Sequence, residues 1–158
     1  MRINIIAVGK VKGNLLLSVQ EYAKMITKYT ELEIIEIKEE LIPQKASEAQ
    51  IEAALAKEGD LILKKIADKD YVYVLSPEGK NLSSTEFSDH LDAAFASGQS
   101  RVNFVIGSSH GLTKRVYDRA NMILSLSKMT FPHQLFRVIL LEQIFRAFKI
   151  LNHETYHK

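Results

Sequence analysis

Short apolar runs alternate along the chain with longer stretches whose apolar residues recur every three or four positions. Five runs, Arg2–Val8 ("RINIIAV"), Leu32–Ile37 ("LEIIEI"), Tyr71–Leu75 ("YVYVL"), Val102–Ile106 ("VNFVI") and the shorter Met122–Leu126 ("MILSL"), predict strands. They are rich in Val, Ile, Tyr and Phe and are bounded by Gly, Pro, Ser or charged turns. Between them, Leu15–Tyr29, Ser47–Ala67, Ser83–Ala96, Thr113–Ala120 and Pro132–Leu151 have helical spacing. Ser47 suits an N-cap, Ser83 and Glu86 have the spacing of a capping box, and Pro132 fits a first helical turn. Strands alternating with helices predict one α/β domain over residues 1–158, with a mainly parallel sheet flanked by helices. The segment "KEELIPQKAS" (38–47) reads as a charged loop, and no linker or repeat divides the chain.

The last predicted helix stands apart. Leu135, Phe136, Val138, Ile139, Leu140, Leu141, Ile144, Phe145, Ala147, Phe148, Ile150 and Leu151 cover most of its cylinder, leaving polar only a stripe through Glu142, Arg146 and Lys149. A helix packed once on a sheet needs an apolar stripe a little over 100° wide. The surplus predicts a second copy of the chain packed around Leu140, Ile144 and Phe148. Glu142 and Arg146 are either an ordinary i, i+4 surface pair or polar groups held at that interface. Residues 152–158 contain no large aliphatic side chain and are expected to add little to the core.

Composition narrows the field. The chain has no Cys, which excludes a disulfide framework, a thiolate nucleophile and a Cys-ligated zinc, and fits a reducing cytoplasm. "MRINIIAVGK" is too short for a signal peptide, and no apolar run is long enough to span a membrane. Net charge is only +2, but residues 1–100 hold 12 Lys/Arg against 16 Asp/Glu, and residues 101–158 hold 9 against 3. A basic half on a near-neutral chain points to an anionic partner.

Ligands of open α/β sheets bind beyond the C-terminal strand ends. There the chain carries "LSPEGKNLSS", "IGSSHGLTK" and "LSKMTFPH", loops whose Gly, Ser and Pro let the backbone approach a ligand. The first strand ends in "GKVKG", whose Lys10 and Lys12 suit a phosphate or simply solvent. Neither dinucleotide nor P-loop spacing is present, and Gly107-Ser108-Ser109-His110-Gly111 is one residue too long for a hydrolase elbow. A hydrolase using Ser109 and His110 would lack an acidic partner at any recognisable spacing. The five histidines do not form an H-E-x-x-H pattern, so a metal site is not expected.

The combination of "INIIAVGK", "VIGSSHGL", "LSLSKMTFPHQLFRVILLEQIFRAFKI" and the terminal "YHK" resembles the RlmH family of SPOUT-class methyltransferases, from Met1 to Lys158. The resemblance implies a C-terminal trefoil knot, S-adenosyl-L-methionine as methyl donor, and a homodimer that methylates N3 of a pseudouridine in large-subunit ribosomal RNA of assembled ribosomes. It implicates Leu75, Gly107 and Leu126, Ser127, Lys128, Met129, Thr130 and Phe131 in cofactor binding. It assigns Tyr156, His157 and Lys158 to the neighbouring subunit's active site, with Glu142 and Arg146 close by. His157 would act as base, Arg146 or Lys158 would stabilise the anion, and Tyr156 would pack on or hydrogen-bond the target. The family's glycine loop usually reads with two adjacent glycines, whereas Ser108 stands second here, at a cost if that position needs positive φ. The competing reading is a non-catalytic ribosome-binding α/β module.

Overall fold

The computed structural model describes residues 1–99 and 101–156. Ten elements follow in the expected order: β1 Arg2–Val8, α1 Gly13–Ile26, β2 Glu31–Ile37, α2 Glu48–Leu63, β3 Tyr71–Asn81, α3 Ser84–Ala96, β4 Val102–Ile106, α4 Lys114–Arg119, β5 Met122–Ser125 and α5 His133–Leu151. The five strands form one parallel sheet in the order β2-β1-β4-β3-β5. Parallel strands need crossovers, and the helices between them supply these.

Alternate residues of each strand feed different layers. Ile3, Ile5 and Ala7 of β1 join Tyr73, Leu75, Phe104 and Ile106 on the face covered by α1, α3 and α5. Ile6 and Val8 join Val72, Val74 and Val105 on the face covered by α2 and α4. Two of the connecting helices, α2 and α3, start on serine capping boxes. Ser47 pairs with Gln50 and Ser83 with Glu86, each serine hydroxyl accepting the N3 amide while the N3 side chain accepts the cap amide.

Helix α5 lies between α1 and α3 above the sheet. Phe145 meets Tyr22 of α1 and Tyr29 in the turn that follows it, and Phe148 meets Tyr29 and Phe95 of α3. Three neighbouring layers account for its wide apolar surface. Leu140 and Ile144 are 0 % exposed and Phe148 3 %, so the face expected to bind a second copy is core of the single chain. What remains half-buried on α5 is a narrower strip including Leu135, Ile139, Glu142, Gln143 and Arg146.

The two ends of the sheet differ. At the N-terminal ends of the strands, Asn4 donates to Asn103, Asn103 donates to Asp70, and Arg101 forms an ion pair with Asp70 at 2.9 Å. Burial would raise the Asp70 pKa, but hydrogen bonds from Arg101, the Ala67 amide and Asn103 together hold it below the ordinary value. The C-terminal ends carry open loops. No helix among the described residues is long and apolar enough to cross a membrane.

Candidate active site

Beyond the C-terminal ends of β3, β4 and β5 the three loops enclose a cavity of about 550 Å³. That volume lies within the range of small-molecule and cofactor pockets, roughly 300–1,000 Å³. Leu75, Gly107, Leu126, Ser127, Met129, Thr130 and Phe131 all line it. Lys128, grouped with them on the sequence, is not among the lining residues. Met129 is 74 % exposed and stands at the mouth. Tyr117 of α4 and Phe136 of α5 add aromatic faces that sequence reasoning missed. An aromatic residue on a helix, whether the short α4 or the apolar α5, reads as core, so nothing in the pattern marked them.

Close backbone approach shapes this pocket. A Cβ at Gly107 would lie 2.6 Å from the Gly111 carbonyl oxygen and 2.7 Å from Leu112 Cγ. Glycine is therefore required there by the loop's own fold, besides leaving room for a ligand. The positive φ of the loop, +88°, falls on Gly111, while Ser108 forms a β-bridge to Gly111 without positive φ. The serine that departs from the usual second glycine thus fits without backbone strain. Gly79 is equally confined: a Cβ would come 2.6 Å from the Ile123 carbonyl oxygen. At this point β3 breaks register, with Leu75 and Lys80 both partnered by Leu124, and Gly79 presses against the β5 backbone. The following turn is fixed by side chains, with Ser125 Oγ donating to the Ser127 carbonyl and the Met129 amide donating to Ser127 Oγ, both at 3.0 Å.

Behind the glycine loop lies Glu58 of α2, 1 % exposed, whose carboxylate accepts the Glu40 amide at 2.9 Å. Burial pushes its pKa up from the ordinary glutamate value, helped by the neighbouring charges of Glu39 and Glu40. The Ser109 hydroxyl and His110 Nδ1 are 3.5 Å apart on the exposed loop tip, and no carboxylate partners His110 among the described residues. That arrangement does not make a hydrolytic triad.

The second group of candidate residues sits at the far end of α5. The helix closes with the His153 amide on the Ile150 carbonyl and the Glu154 amide on the Lys149 carbonyl, His153 taking φ +56° at the turn. Glu154 then accepts from the Tyr29 hydroxyl at 3.0 Å and pairs with Lys149 at 2.6 Å. This folds Tyr156 back onto Phe145 and beneath the Arg146 guanidinium, 4.7 Å from the ring centre. Glu142 Oε1 accepts from Arg146 Nε at 3.0 Å and from the Tyr156 hydroxyl at 3.2 Å, and Gln143 donates to Glu142 Oε2. The tail through Tyr156 is therefore packed on the core, contrary to its expected idleness. Hydrogen bonding to Glu142 raises the Arg146 pKa, and burial followed by the Glu142 charge raises that of Tyr156. At neutral pH the cluster presents a guanidinium and a protonated phenol. His157 and Lys158 lie outside the described residues.

Among the described residues, one chain does not join the two groups. Phe136 lines the cavity, and Arg146 is ten residues further along α5, about 15 Å at 1.5 Å per residue. Neither Glu142, Arg146 nor Tyr156 lines the cavity.

The basic C-terminal half is largely engaged within the fold. Arg101, Lys114, Arg115, Arg137, Arg146 and Lys149 form ion pairs with Asp70, Asp118, Asp60, Glu36, Glu142 and Glu154 respectively. Arg119 donates to the carbonyls of Ala67 and Asp70. Arg137, 1 % exposed, also donates to the Gly9 carbonyl and pins the β1 end to α5. The sequence asymmetry thus reflects structural cations as much as surface potential.

A parallel sheet with a cavity at its C-terminal strand ends defines an α/β protein of the class that takes small ligands there. Residues 1–157 match the family described as "Predicted SPOUT methyltransferase". Over 159 aligned residues, covering 100 % of both chains, the sequence is 50 % identical to "Ribosomal RNA large subunit methyltransferase H" of Clostridium botulinum strain Hall. It is 49 % identical, with the same coverage, to the protein of that name from Clostridium tetani. The chain belongs to the SPOUT methyltransferase family, in the RlmH group that its sequence resembles. Membership carries with it the C-terminal trefoil knot, which no local pattern announces.

Proposed function

We propose that this protein is a homodimeric, cytoplasmic methyltransferase that uses S-adenosylmethionine to methylate N3 of a pseudouridine in large-subunit ribosomal RNA, on assembled ribosomes. The observation that carries this reading is the cavity made by all three strand-end loops, in a chain alike from end to end to ribosomal RNA methyltransferases. The lining fits the cofactor. Leu75, Ile106, Leu126, Phe131 and Phe136 offer apolar surface for an adenosine, Gly107 and Gly111 bring backbone groups close, and among the described residues no Lys or Arg side chain lines the cavity to repel a sulfonium. S-adenosylmethionine bound there supplies an electrophilic methyl group.

The chain's own residues must then hold the acceptor in line and manage a proton. The N3–H of pseudouridine is a weak acid, so transfer needs a base or a cation beside the developing anion. Arg146, kept charged by Glu142, is the cation, and the Tyr156 phenol, held by Glu142, is a donor or packing surface. His157 is the candidate base and Lys158 a second cation. Since Arg146 lies about 15 Å along α5 from the cavity, the tail that completes each site comes from the second copy. The half-buried strip through Leu135 and Ile139 is the surface that such a copy covers.

The test is transfer of labelled methyl to isolated ribosomes, with nucleoside analysis of the product. Label in a large-subunit pseudouridine is expected. Ribosome binding without cofactor binding or label would leave the non-catalytic module standing instead.

A further inference from the structure

A second concavity, about 680 Å³, opens beyond the C-terminal ends of β1 and β2. Gly9, Lys10 and Lys12 form one wall, Ile37, Lys38 and Glu39 another, and His133 and Gln134 of α5 the third. His133 lines this groove and the 550 Å³ cavity alike, so the two openings adjoin. The wall is held in place rather than loose. The Lys12 amide donates to Gln134 Oε1 at 3.1 Å, the Gly9 amide donates to the Ile37 carbonyl at 2.8 Å, and buried Arg137 holds the Gly9 carbonyl.

Its charges are available in a way that most of the C-terminal half's are not. The side chains of Lys10, Lys12 and Lys38 are exposed, and their ammonium groups have no ion-pair or hydrogen-bond partner among the described residues. Glu36, which also lines the groove, is neutralised by Arg137 at 2.7 Å. The remaining carboxylate, Glu39, faces Gly9 beside His133, where an added Cβ would be 3.4 Å from Glu39 Oε2 and 3.6 Å from His133 Nε2. Three lysines along a groove match phosphates, and an acceptor among them matches a ribose hydroxyl, a combination that RNA offers.

We propose that this groove binds the sugar–phosphate backbone of the substrate RNA beside the target nucleotide, with Lys10, Lys12 and Lys38 on phosphates and Glu39 on a ribose hydroxyl. The inference rests on the RNA-methylating reading and gives its substrate a path: backbone in the lysine groove, base turned toward the adjoining cavity. It places phosphate recognition at the ends of β1 and β2, where the sequence left Lys10 and Lys12 open between a phosphate and solvent, and not in the basic C-terminal half alone. These lysines are positioning residues, not catalytic ones.

The test compares Lys10→Glu/Lys12→Glu with wild type and with Lys57→Glu/Lys69→Glu, a control with the same change in net charge. Methylation of intact ribosomes is followed against ribosome and salt concentration, and cofactor affinity by calorimetry. The groove variant should raise KM for ribosomes about tenfold or more and flatten the log–log salt dependence by about two, roughly one per phosphate contact. Its kcat at saturation and its cofactor affinity should stay unchanged, and Lys10→Gln/Lys12→Gln should shift KM in the same direction by less. An unaltered KM and salt slope in a folded groove variant, or an equal effect in the control, overturns the proposal. Absence of methyl transfer by wild type would instead count against the functional reading itself.

Discussion

The strand-end cavity and the C-terminal tail are built on opposite principles. The cavity takes its shape from close backbone approach, under apolar and aromatic side chains: Gly107 and Gly79 are packed so closely that a methyl group has no room, and the turn after β5 is tied by serine hydroxyls. It is complete within one chain. The tail is made of charged and aromatic side chains, Glu142, Arg146, Glu154 and Tyr156, held by hydrogen bonds to one another and to Tyr29. It is assembled at the other end of a 19-residue helix, away from anything on which to act. Cofactor binding needs a rigid fit and can be satisfied locally. Proton handling needs groups brought to a substrate, and a second copy can deliver them.

Breaking the tail should have the largest effect. Deleting residues 155–158 should lower kcat by at least about a hundredfold, because the candidate base and donor go together. Cofactor affinity measured by calorimetry should not change. The melting midpoint should fall by a few degrees, because Tyr156 covers Phe145 and engages Glu142.

The next effect is on the interface. Ile139→Asp should dissociate the proposed dimer at micromolar concentration in sedimentation, since burying an unpaired carboxylate costs several kcal/mol. The folded monomer should retain cofactor binding and lose methyl transfer. Ile144→Asp should behave differently, failing to fold, because Ile144 is 0 % exposed within the chain itself.

On the cavity side, Gly107→Ala should weaken cofactor affinity by about tenfold or more, as the new Cβ must push the Gly111 carbonyl aside at a cost near 1–3 kcal/mol. Circular dichroism should show the sheet intact. Unchanged affinity would place the ligand elsewhere.

The smallest effect concerns Glu58, behind the glycine loop. Its folded pKa is raised, so the folded state holds more protons than the unfolded one above the ordinary glutamate value of 4.5. Stability contributed here is present below that value and is lost as pH rises through the folded pKa. Glu58→Gln keeps an acceptor for the Glu40 amide and removes the buried charge. Its melting midpoint should gain on wild type as pH rises from about 4.5 toward neutrality, by a degree or two, in line with fractions of a kcal/mol. A gap independent of pH would show that Glu58 is not the titrating group.

The contrast also explains what the sequence disclosed. All ten elements were legible because apolar period and serine caps are local signals, and both capping serines lie where the pattern put them. The cavity was legible as three Gly/Ser/Pro loops at strand ends. Its aromatic walls, Tyr117 and Phe136, were not, since a side chain on a helix carries no mark of the direction it faces. The β3 strand runs past Leu75 to Asn81 because residues 80–81 return to pair with β5, a long-range event hidden behind Pro77 and Gly79. The apolar surface of α5 was read as a dimer face around Ile144, whereas α1, α3 and the sheet together bury that side. Pattern gives the amount of apolar surface, not the identity of what covers it.

The central claim, that each active site joins one subunit's cavity to the other's tail, is tested most directly by a purified mixed dimer. One subunit lacks residues 155–158 and keeps its cavity; the other carries Gly107→Val, whose branched side chain closes the cavity, and keeps its tail. Each parent homodimer should be nearly inactive. If tails act across the dimer, the mixed species contains one whole site of two and should methylate ribosomes at about half the wild-type rate. If tails act on their own subunit, both sites are broken, and a stable mixed dimer that stays as inactive as its parents would contradict the account.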